Sequence, residues 1–152
     1  MVTVGIDVGA KYVKIAVLRD GQILARKKRE GGFEQGKVAG ELLKEAITGA
    51  DIPEEEISKF CSTGAGRRVI ANVVKNGLES VTEVTAVSRA THELYPEVRT
   101  VIDVGAEEGR AIRCDSSGKV EDFAINEKCA AGSGAFTAVS YTHLTLPTNR
   151  EV

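Results

Sequence analysis

Residues 101–106 read Val101-Ile102-Asp103-Val104-Gly105-Ala106, and residues 5–10 near the N-terminus read Gly5-Ile6-Asp7-Val8-Gly9-Ala10. The two blocks share Ile-Asp-Val-Gly-Ala, and their aspartates are 96 positions apart. Each block predicts an apolar strand, an Asp-x-Gly tight turn and a second strand. A unit that recurs once at a domain-sized interval predicts two related lobes.

The repeated turn also points to a ligand. Exposed turn amides attract phosphate, and carboxylates hold hydrated Mg²⁺. A single Asp-x-Gly is usually only a turn, so the repetition is what favours function. We expect Asp7 and Asp103 to face each other across a cleft that takes a phosphate chain with its metal ion.

Composition narrows the class of protein. The chain has 152 residues, 42% hydrophobic and 28% charged, and a net charge of −2, which is typical of a globular protein and gives no electrostatic case for nucleic acid. The sequence has no apolar run of about 20 residues and no signal-peptide pattern. We therefore predict a cytoplasmic protein that does not bind membranes.

Three cysteines, Cys61, Cys114 and Cys129, lack any C-x-x-C spacing, so they predict neither a disulfide framework nor a self-contained zinc site. The first two fall inside predicted strands and are interpreted as structural. Small residues follow Cys129 and predict a helix start, where the dipole lowers the pKa of a thiol and makes it a better metal ligand. One thiolate cannot hold a metal centre, but a site shared between two chains could.

Hydrophobic spacing predicts the secondary structure of most of the chain. The basic run 26–29 is interpreted as the exposed end of an edge strand. Predicted strands are Val2–Val8, Tyr12–Leu18, Ile23–Arg29, Lys59–Thr63, Arg99–Val104, Arg110–Cys114 and Lys119–Ile125, and predicted helices are Phe33–Thr48, a short helical turn at 51–56, a segment after Arg67, and Ser80–Leu94.

The glycine-rich loop Thr63–Arg67 allows two interpretations. It could approach a ligand closely, with Arg67 reaching toward it, or it could be a strand-to-helix connection that needs glycine for its geometry. Glu83 could add a carboxylate to the cleft, although acids are common in the first turn of a helix. His92 has no ligand partners nearby in sequence and is expected at the surface.

Four motifs together resemble the ATPase/activator family of 2-hydroxyacyl-CoA dehydratases and benzoyl-CoA reductases, over Met1 to about Phe136. The Gly-Ala-Glu-Glu-Gly turn is more similar to the benzoyl-CoA reductase ATPase subunits, since the dehydratase activators usually carry Gly-Gly-Gln-Asp there. The motifs are Gly5-Ile6-Asp7-Val8-Gly9, Thr63-Gly64-Ala65-Gly66-Arg67, Asp103-Val104-Gly105-Ala106-Glu107-Glu108-Gly109 and Asn126-Glu127-Lys128-Cys129-Ala130-Ala131-Gly132.

The resemblance implies an α/β fold, a ribonuclease-H-like lobe of the actin/hexokinase/Hsp70 ATPase fold with a truncated second lobe. It implies ATP hydrolysis coupled to one-electron transfer, at very low potential, to an acyl-CoA reductase or dehydratase component. Reduced ferredoxin or flavodoxin would be the donor. A [4Fe–4S] cluster would bridge two ATPase subunits, identical or paralogous, with two cysteines from each, one of them matching Cys129.

The resemblance also implies the roles of individual residues. Asp7 and Asp103 would be catalytic, holding Mg²⁺ and orienting water. The first turn reads Ala10-Lys11-Tyr12 where many relatives have Ser or Thr hydroxyls, so its phosphate contacts must come from backbone or lysine. The residues implied to bind the nucleotide are Gly9, Ala10, Lys11, Tyr12, Val13, Lys14, Gly105 and Ala106.

We predict a first lobe at 1–98, the start of a truncated second lobe at 99–139 and a non-native tail at 140–152. The tail is rich in threonine, lacks a helical period and resembles a translated sequencing adaptor, so the chain is expected to be an inactive N-terminal fragment. Two alternatives remain: a fragment of a sugar or acetate kinase, against which Cys129 argues, and a non-enzymatic nucleotide-binding module of the same fold.

Overall fold

The structure is a computed structural model that describes residues 1–106 and 108–126. The chain divides into two compact units, Met1–Ala86 and a second that begins at Val87. The lobe boundaries after residues 98 and 139 stay predictions, and the segment 140–152 lies outside the described residues.

The first unit is built on a five-stranded sheet with the order β3-β2-β1-β4-β5. Strand β1 pairs antiparallel with β2 and parallel with β4. The β2–β3 turn is a tight hairpin, because Asp20 and Gly21 both have positive φ, 51° and 82°. The strands are β1 Val2–Val8, β2 Tyr12–Arg19, β3 Gln22–Glu30, β4 Ile57–Thr63 and β5 Leu78–Ser80.

Helix α1, Gln35–Gly49, covers one face of this sheet. Burial alternates along β1, so that Val2, Val4, Ile6 and Val8 point into the core while the residues between them are partly exposed. The helix buries small and large residues on one side, which lets it lie close to the sheet. Those residues are Ala39, Leu42, Leu43 and Ala46.

The second unit contains a three-stranded antiparallel sheet, β6 Thr100–Val104, β7 Gly109–Cys114 and β8 Val120–Ile125. Helix α2 spans Glu83–Leu94, and Thr82 caps it by accepting a hydrogen bond from the Thr85 backbone N–H at 3.2 Å. No helix in the described part of the chain is long and apolar enough to cross a membrane.

The predicted strands and long helices are confirmed to within about three residues at their ends, and β3 is confirmed as an edge strand. Three expectations differ. The helix predicted after Arg67 is a 3₁₀ stretch, Arg67–Asn72, and the short strand β5 was not predicted. His92 is partly buried against Gly118 rather than free at the surface.

Candidate functional site: two hairpin turns with an aspartate and a cation

The first hairpin joins an aspartate to a lysine across neighbouring strands. Asp7 and Lys14 are partners in the β1–β2 register, and Lys14 Nζ donates to Asp7 Oδ2 at 2.8 Å. The turn closes where the Gly9 N–H donates to the Tyr12 carbonyl at 3.0 Å. A side chain at Gly9 would place its Cβ 3.2 Å from that same carbonyl oxygen, so the close turn favours glycine.

The second hairpin repeats these contacts at positions 96 higher. Asp103 and Arg110 are register partners, and Arg110 Nη1 donates to Asp103 Oδ2 at 2.9 Å. The Gly105 N–H donates to the Glu108 carbonyl at 2.8 Å, and a Cβ on Gly105 would lie 3.2 Å from that oxygen. The repeated sequence therefore forms a repeated structure, in which each hairpin pairs a carboxylate with a cation.

The two pairs differ in their exposure. The side chain of Lys14 is 52% exposed, whereas that of Arg110 is 13% exposed and also donates to Glu108 Oε2 at 2.9 Å. The carboxylates are alike, with Asp7 32% and Asp103 30% exposed. Both carboxylates are thus open to solvent beside a turn, which is where a hydrated metal ion could reach them.

The loop after β4 packs directly on the first hairpin. Gly64 has a φ of +93°, and a Cβ there would lie 2.3 Å from Val8 O and 2.7 Å from Asp7 Oδ1. The Gly66 N–H donates to Val8 O at 2.9 Å. Glycine is therefore needed at position 64, because a side chain there would overlap the backbone of Val8 and the carboxylate of Asp7.

Arg67 closes this loop from the other side. Its Nη1 donates to the Gly64 carbonyl at 3.1 Å and lies 3.5 Å from Glu83 Oε2 at the start of α2. The Arg67 side chain thus contacts other groups of the protein. Arg67 and Glu83 both lie next to the loop that contacts Asp7.

The remaining predicted binding residues of the first hairpin take different positions. Ala10 and Lys11 are exposed at the tip of the turn, whereas the Val13 side chain is fully buried in the core. The Tyr12 ring lies under Lys28, with Nζ 3.9 Å from the ring centre. Since the Gly9 N–H is bonded within the turn, the backbone amides of Ala10 and Lys11, together with lysine side chains, are the groups here that could meet phosphate.

Asp7 and Lys14 also stand at one end of an apolar trough on the sheet face away from α1. Its floor consists of small residues that are register neighbours, Gly5, Ala16 and Cys61, and its volume is about 500 Å³. Cys61 is therefore partly exposed and not a core residue as expected from its place in a strand.

The described cysteines do not form a metal site. Burial, and then the nearby Glu79 carboxylate, raise the pKa of the Cys61 thiol, while Cys114 is buried and donates to the Val98 carbonyl. Residues 1–106 and 108–126 contain no group of three or more His, Cys, Asp or Glu side chains that could hold a metal ion. Cys129, the predicted cluster ligand, lies outside the described residues.

Two side chains of this region were not singled out from the sequence. Arg110 could have been found, because Lys14 and Arg110 both stand seven positions after their aspartates. Gln35, the first residue of α1, donates to the Gly9 carbonyl at 3.1 Å. No local sequence pattern indicates this contact.

The sequence model of the BadF/BadG/BcrA/BcrD ATPase family matches residues 4–148. The chain belongs to this ATPase family. The lactoyl-CoA dehydratase activator of Anaerotignum propionicum is 33% identical over 91% of this chain and 52% of its own length. A benzoyl-CoA reductase subunit from Thauera aromatica is 31% identical over 89% of this chain and 48% of its own length. These similar identities do not favour either branch of the family.

Solved structures show the same fold. Component A of the Acidaminococcus fermentans (R)-2-hydroxyglutaryl-CoA dehydratase has a TM-score of 0.79 at 28% identity, covering 93% of this chain and 53% of that one. The 2-hydroxyisocaproyl-CoA dehydratase activator of Clostridium difficile, solved with bound ADPNP, has a TM-score of 0.75 at 28% identity, covering 93% and 52%. A ROK hexokinase from Thermus thermophilus shares the fold alone, with a TM-score of 0.61 at 14% identity over 79% of this chain and 48% of that one.

The predicted family and the actin/hexokinase-like α/β fold are thereby confirmed. The chain spans about half the length of the curated relatives it matches.

Proposed function

We propose that the chain supplies the first phosphate-binding hairpin of an ATPase that activates an acyl-CoA dehydratase or reductase. The observation that carries the proposal is the repeated hairpin, in which a partly exposed aspartate and a closed glycine turn recur 96 positions apart. Because the chain spans about half of its relatives, the activity is proposed for the full-length protein, meaning a protein of the relatives' length that contains this chain.

The residues of the first hairpin fit a magnesium–phosphate ligand. Asp7 offers carboxylate oxygens, the ligands that Mg²⁺ prefers, and it is 32% exposed. The turn presents the exposed residues Ala10 and Lys11 beside it, and Lys14 adds a positive charge 2.8 Å from the carboxylate. When bound, Mg²⁺ would neutralise charge on the phosphates and polarise the bond that breaks.

Each residue would then have a distinct task. Asp7 would hold the metal ion and orient the attacking water, and the amides of Ala10 and Lys11 would donate to phosphate oxygens. Lys14 would exchange its bond to Asp7 for one to phosphate, which its exposure allows. Asp103, with Gly105 and Ala106, would serve the same nucleotide from the second hairpin.

The electron-transfer part of the proposal rests on the family. The relatives are named as activators of dehydratases and as part of a reductase. We propose that two full-length subunits share a [4Fe–4S] cluster with Cys129 as one ligand, that reduced ferredoxin or flavodoxin is the donor, and that the acceptor is an acyl-CoA enzyme. Neither Cys61 nor Cys114 belongs to a group of His, Cys, Asp or Glu side chains in residues 1–106 and 108–126 that could hold a metal ion.

The test is ATP hydrolysis by the full-length protein and its Asp7→Asn variant. Asparagine keeps the shape of the side chain but removes the charge that would bind the metal ion. We expect turnover to fall at least about 100-fold, the scale of losing one preorganised group in a phosphoryl-transfer site.

Asp122→Asn is the matched control. Asp122 is an exposed aspartate in β8 whose Oδ1 accepts from the Phe123 N–H, a role that asparagine can keep. Its turnover should equal that of the unchanged protein. Equal turnover of the Asp7→Asn variant and the control would contradict the proposed role of the first hairpin.

A further inference from the structure

The side chain of Gln35 stands where three segments of the first unit meet. Its Nε2 donates to the Gly9 carbonyl in the β1–β2 turn at 3.1 Å. A Cβ on Gly66 would lie 2.4 Å from its Oε1, and one on Gly31 would lie 3.2 Å from its Cγ. Two glycines therefore leave space for this one side chain, which is 26 residues from the turn it contacts.

The neighbouring peptide groups of the turn are held as well. Val8 O accepts from the Gly66 N–H at 2.9 Å, and the Gly9 N–H donates to Tyr12 O at 3.0 Å. The peptide between residues 8 and 9 is thus bonded on both sides within the protein. The next peptide, between Gly9 and Ala10, has its carbonyl bonded to Gln35.

This bond sets the direction of the following amide. In a planar trans peptide the C=O and the N–H point in opposite directions. A donor that holds the Gly9 carbonyl on the α1 side therefore turns the Ala10 N–H away from α1. Ala10 is exposed, so the amide is presented at the tip of the turn that is proposed to bind phosphate.

We propose that Gln35 is a positioning residue of this turn: its carboxamide orients the Gly9–Ala10 peptide so that the Ala10 N–H donates to the phosphate. The identity of the anion rests on the proposed function, whereas the orientation of the peptide does not. A first turn without Ser or Thr hydroxyls depends more on its backbone donors, and Gln35 orients one of them.

The experiment uses the 152-residue chain, ¹⁵N-labelled, with Gln35→Met and Gln35→Glu. Methionine keeps the length of the side chain without a donor, and glutamate replaces the donor by a second acceptor. Gln22→Glu is the matched control, because Gln22 is an exposed residue at the start of β3. The methyl signals of Ile6 and Ile15 report whether the core stays folded.

Without ligand, the Ala10 amide signal should shift in both Gln35 variants and stay in place in Gln22→Glu, because the ¹⁵N shift responds to a hydrogen bond on the preceding carbonyl. With Mg·ATP and the full-length protein, the dissociation constant read from the Ala10 and Lys11 amides should rise about three- to tenfold in Gln35→Met, the fold-change expected for one hydrogen bond. In the full-length protein the KM for ATP should rise and kcat should stay.

The outcomes separate the two proposals. The proposed role of Gln35 would be overturned if the core of the ligand-free Gln35 variants stays folded and their Ala10 amide signal equals that of the unchanged chain. Absence of any Mg·ATP effect on the Ala10 and Lys11 amides of the full-length protein would instead count against the proposed nucleotide site, while the ligand-free spectra would still decide whether Gln35 orients the peptide.

Discussion

Replacing Gly64 by alanine tests the packing that surrounds the candidate aspartate. The new Cβ would lie 2.3 Å from Val8 O, 2.5 Å from Val8 C and 2.7 Å from Asp7 Oδ1. Two of these atoms belong to the backbone of β1 and cannot move aside as a flexible side chain would. The substitution must therefore displace either the loop or the end of the strand that carries Asp7.

The expected free-energy change has two parts. An alanine held at a φ of +93° costs about 1–2 kcal/mol because its Cβ approaches its own carbonyl. Overpacking a filled site costs about 1–3 kcal/mol more. Together they lower the free energy of unfolding of the first unit by about 2–5 kcal/mol, enough to unfold a marginal domain at the high end.

Gly21→Ala is the matched control. Gly21 also has a positive φ, +82°, but a Cβ there would meet nothing within 4 Å. It should cost only the conformational part, about 1–2 kcal/mol. The stabilisation that any Gly→Ala change gains by restricting the unfolded chain is common to both variants and cancels in the comparison.

Urea unfolding followed through the methyl signals of Ile6 and Ile15 reports on the core of the first unit. With a slope of about 1–3 kcal/mol per molar urea, the Gly64→Ala midpoint should fall below that of Gly21→Ala by roughly 1 M. Equal midpoints would refute the reasoning, because they would mean that the loop does not press on the backbone of β1.

Two further predictions concern the second unit and the cluster. The side-chain hydroxyl of Ser117 and the backbone N–H groups of Lys119 and Ser117 donate hydrogen bonds to the Asp115 carboxylate and lower its pKa. Ser117→Ala should therefore raise the pKa of Asp115 toward its ordinary value, which an NMR titration would measure. Because the folded-state pKa is lowered, the stabilisation from the charged carboxylate is lost as the pH falls through that pKa, below the ordinary range. The purified 152-residue chain should show no brown chromophore after anaerobic iron–sulfur reconstitution, since a [4Fe–4S] cluster needs four thiolates. The full-length protein should show the chromophore and lose it with Cys129→Ser. A stoichiometric cluster in the 152-residue chain would contradict this prediction.

The strands around the hairpins could be predicted from the sequence because local features determine them. In β1 the alternation of buried Val2, Val4, Ile6 and Val8 appears directly as a run of β-branched residues. The repeated Asp-x-Gly turns also follow from local chemistry. The structure adds that the repeat extends to contacts, since a carboxylate and a cation pair across the strands in both hairpins.

What could not be predicted depends on contacts between distant residues. Strand β5 has three residues, too few for a periodic pattern, and it exists because Gly77, with a φ of +70°, turns the chain to pair with β4. The segment from Arg67 has helical spacing but closes i→i+3 bonds, such as Val73 N–H to Ile70 O, and ends at Asn72. Gln35 reaches the turn across 26 residues, which no local pattern shows.

The two hairpins share one geometry, yet their cations make them unequal partners for a metal ion. The Asp7–Lys14 pair is exposed, and such pairs contribute about 0–1 kcal/mol, so Lys14 can leave the carboxylate at little cost. Arg110 is 13% exposed and donates to both Asp103 and Glu108 through two charge-assisted bonds, which hold it in place. A metal ion that approaches Asp7 would therefore have to displace only a weakly held lysine, whereas one that approaches Asp103 would compete with an arginine held by two carboxylates. We therefore expect Asp7 to exchange its cation for a metal ion more readily than Asp103.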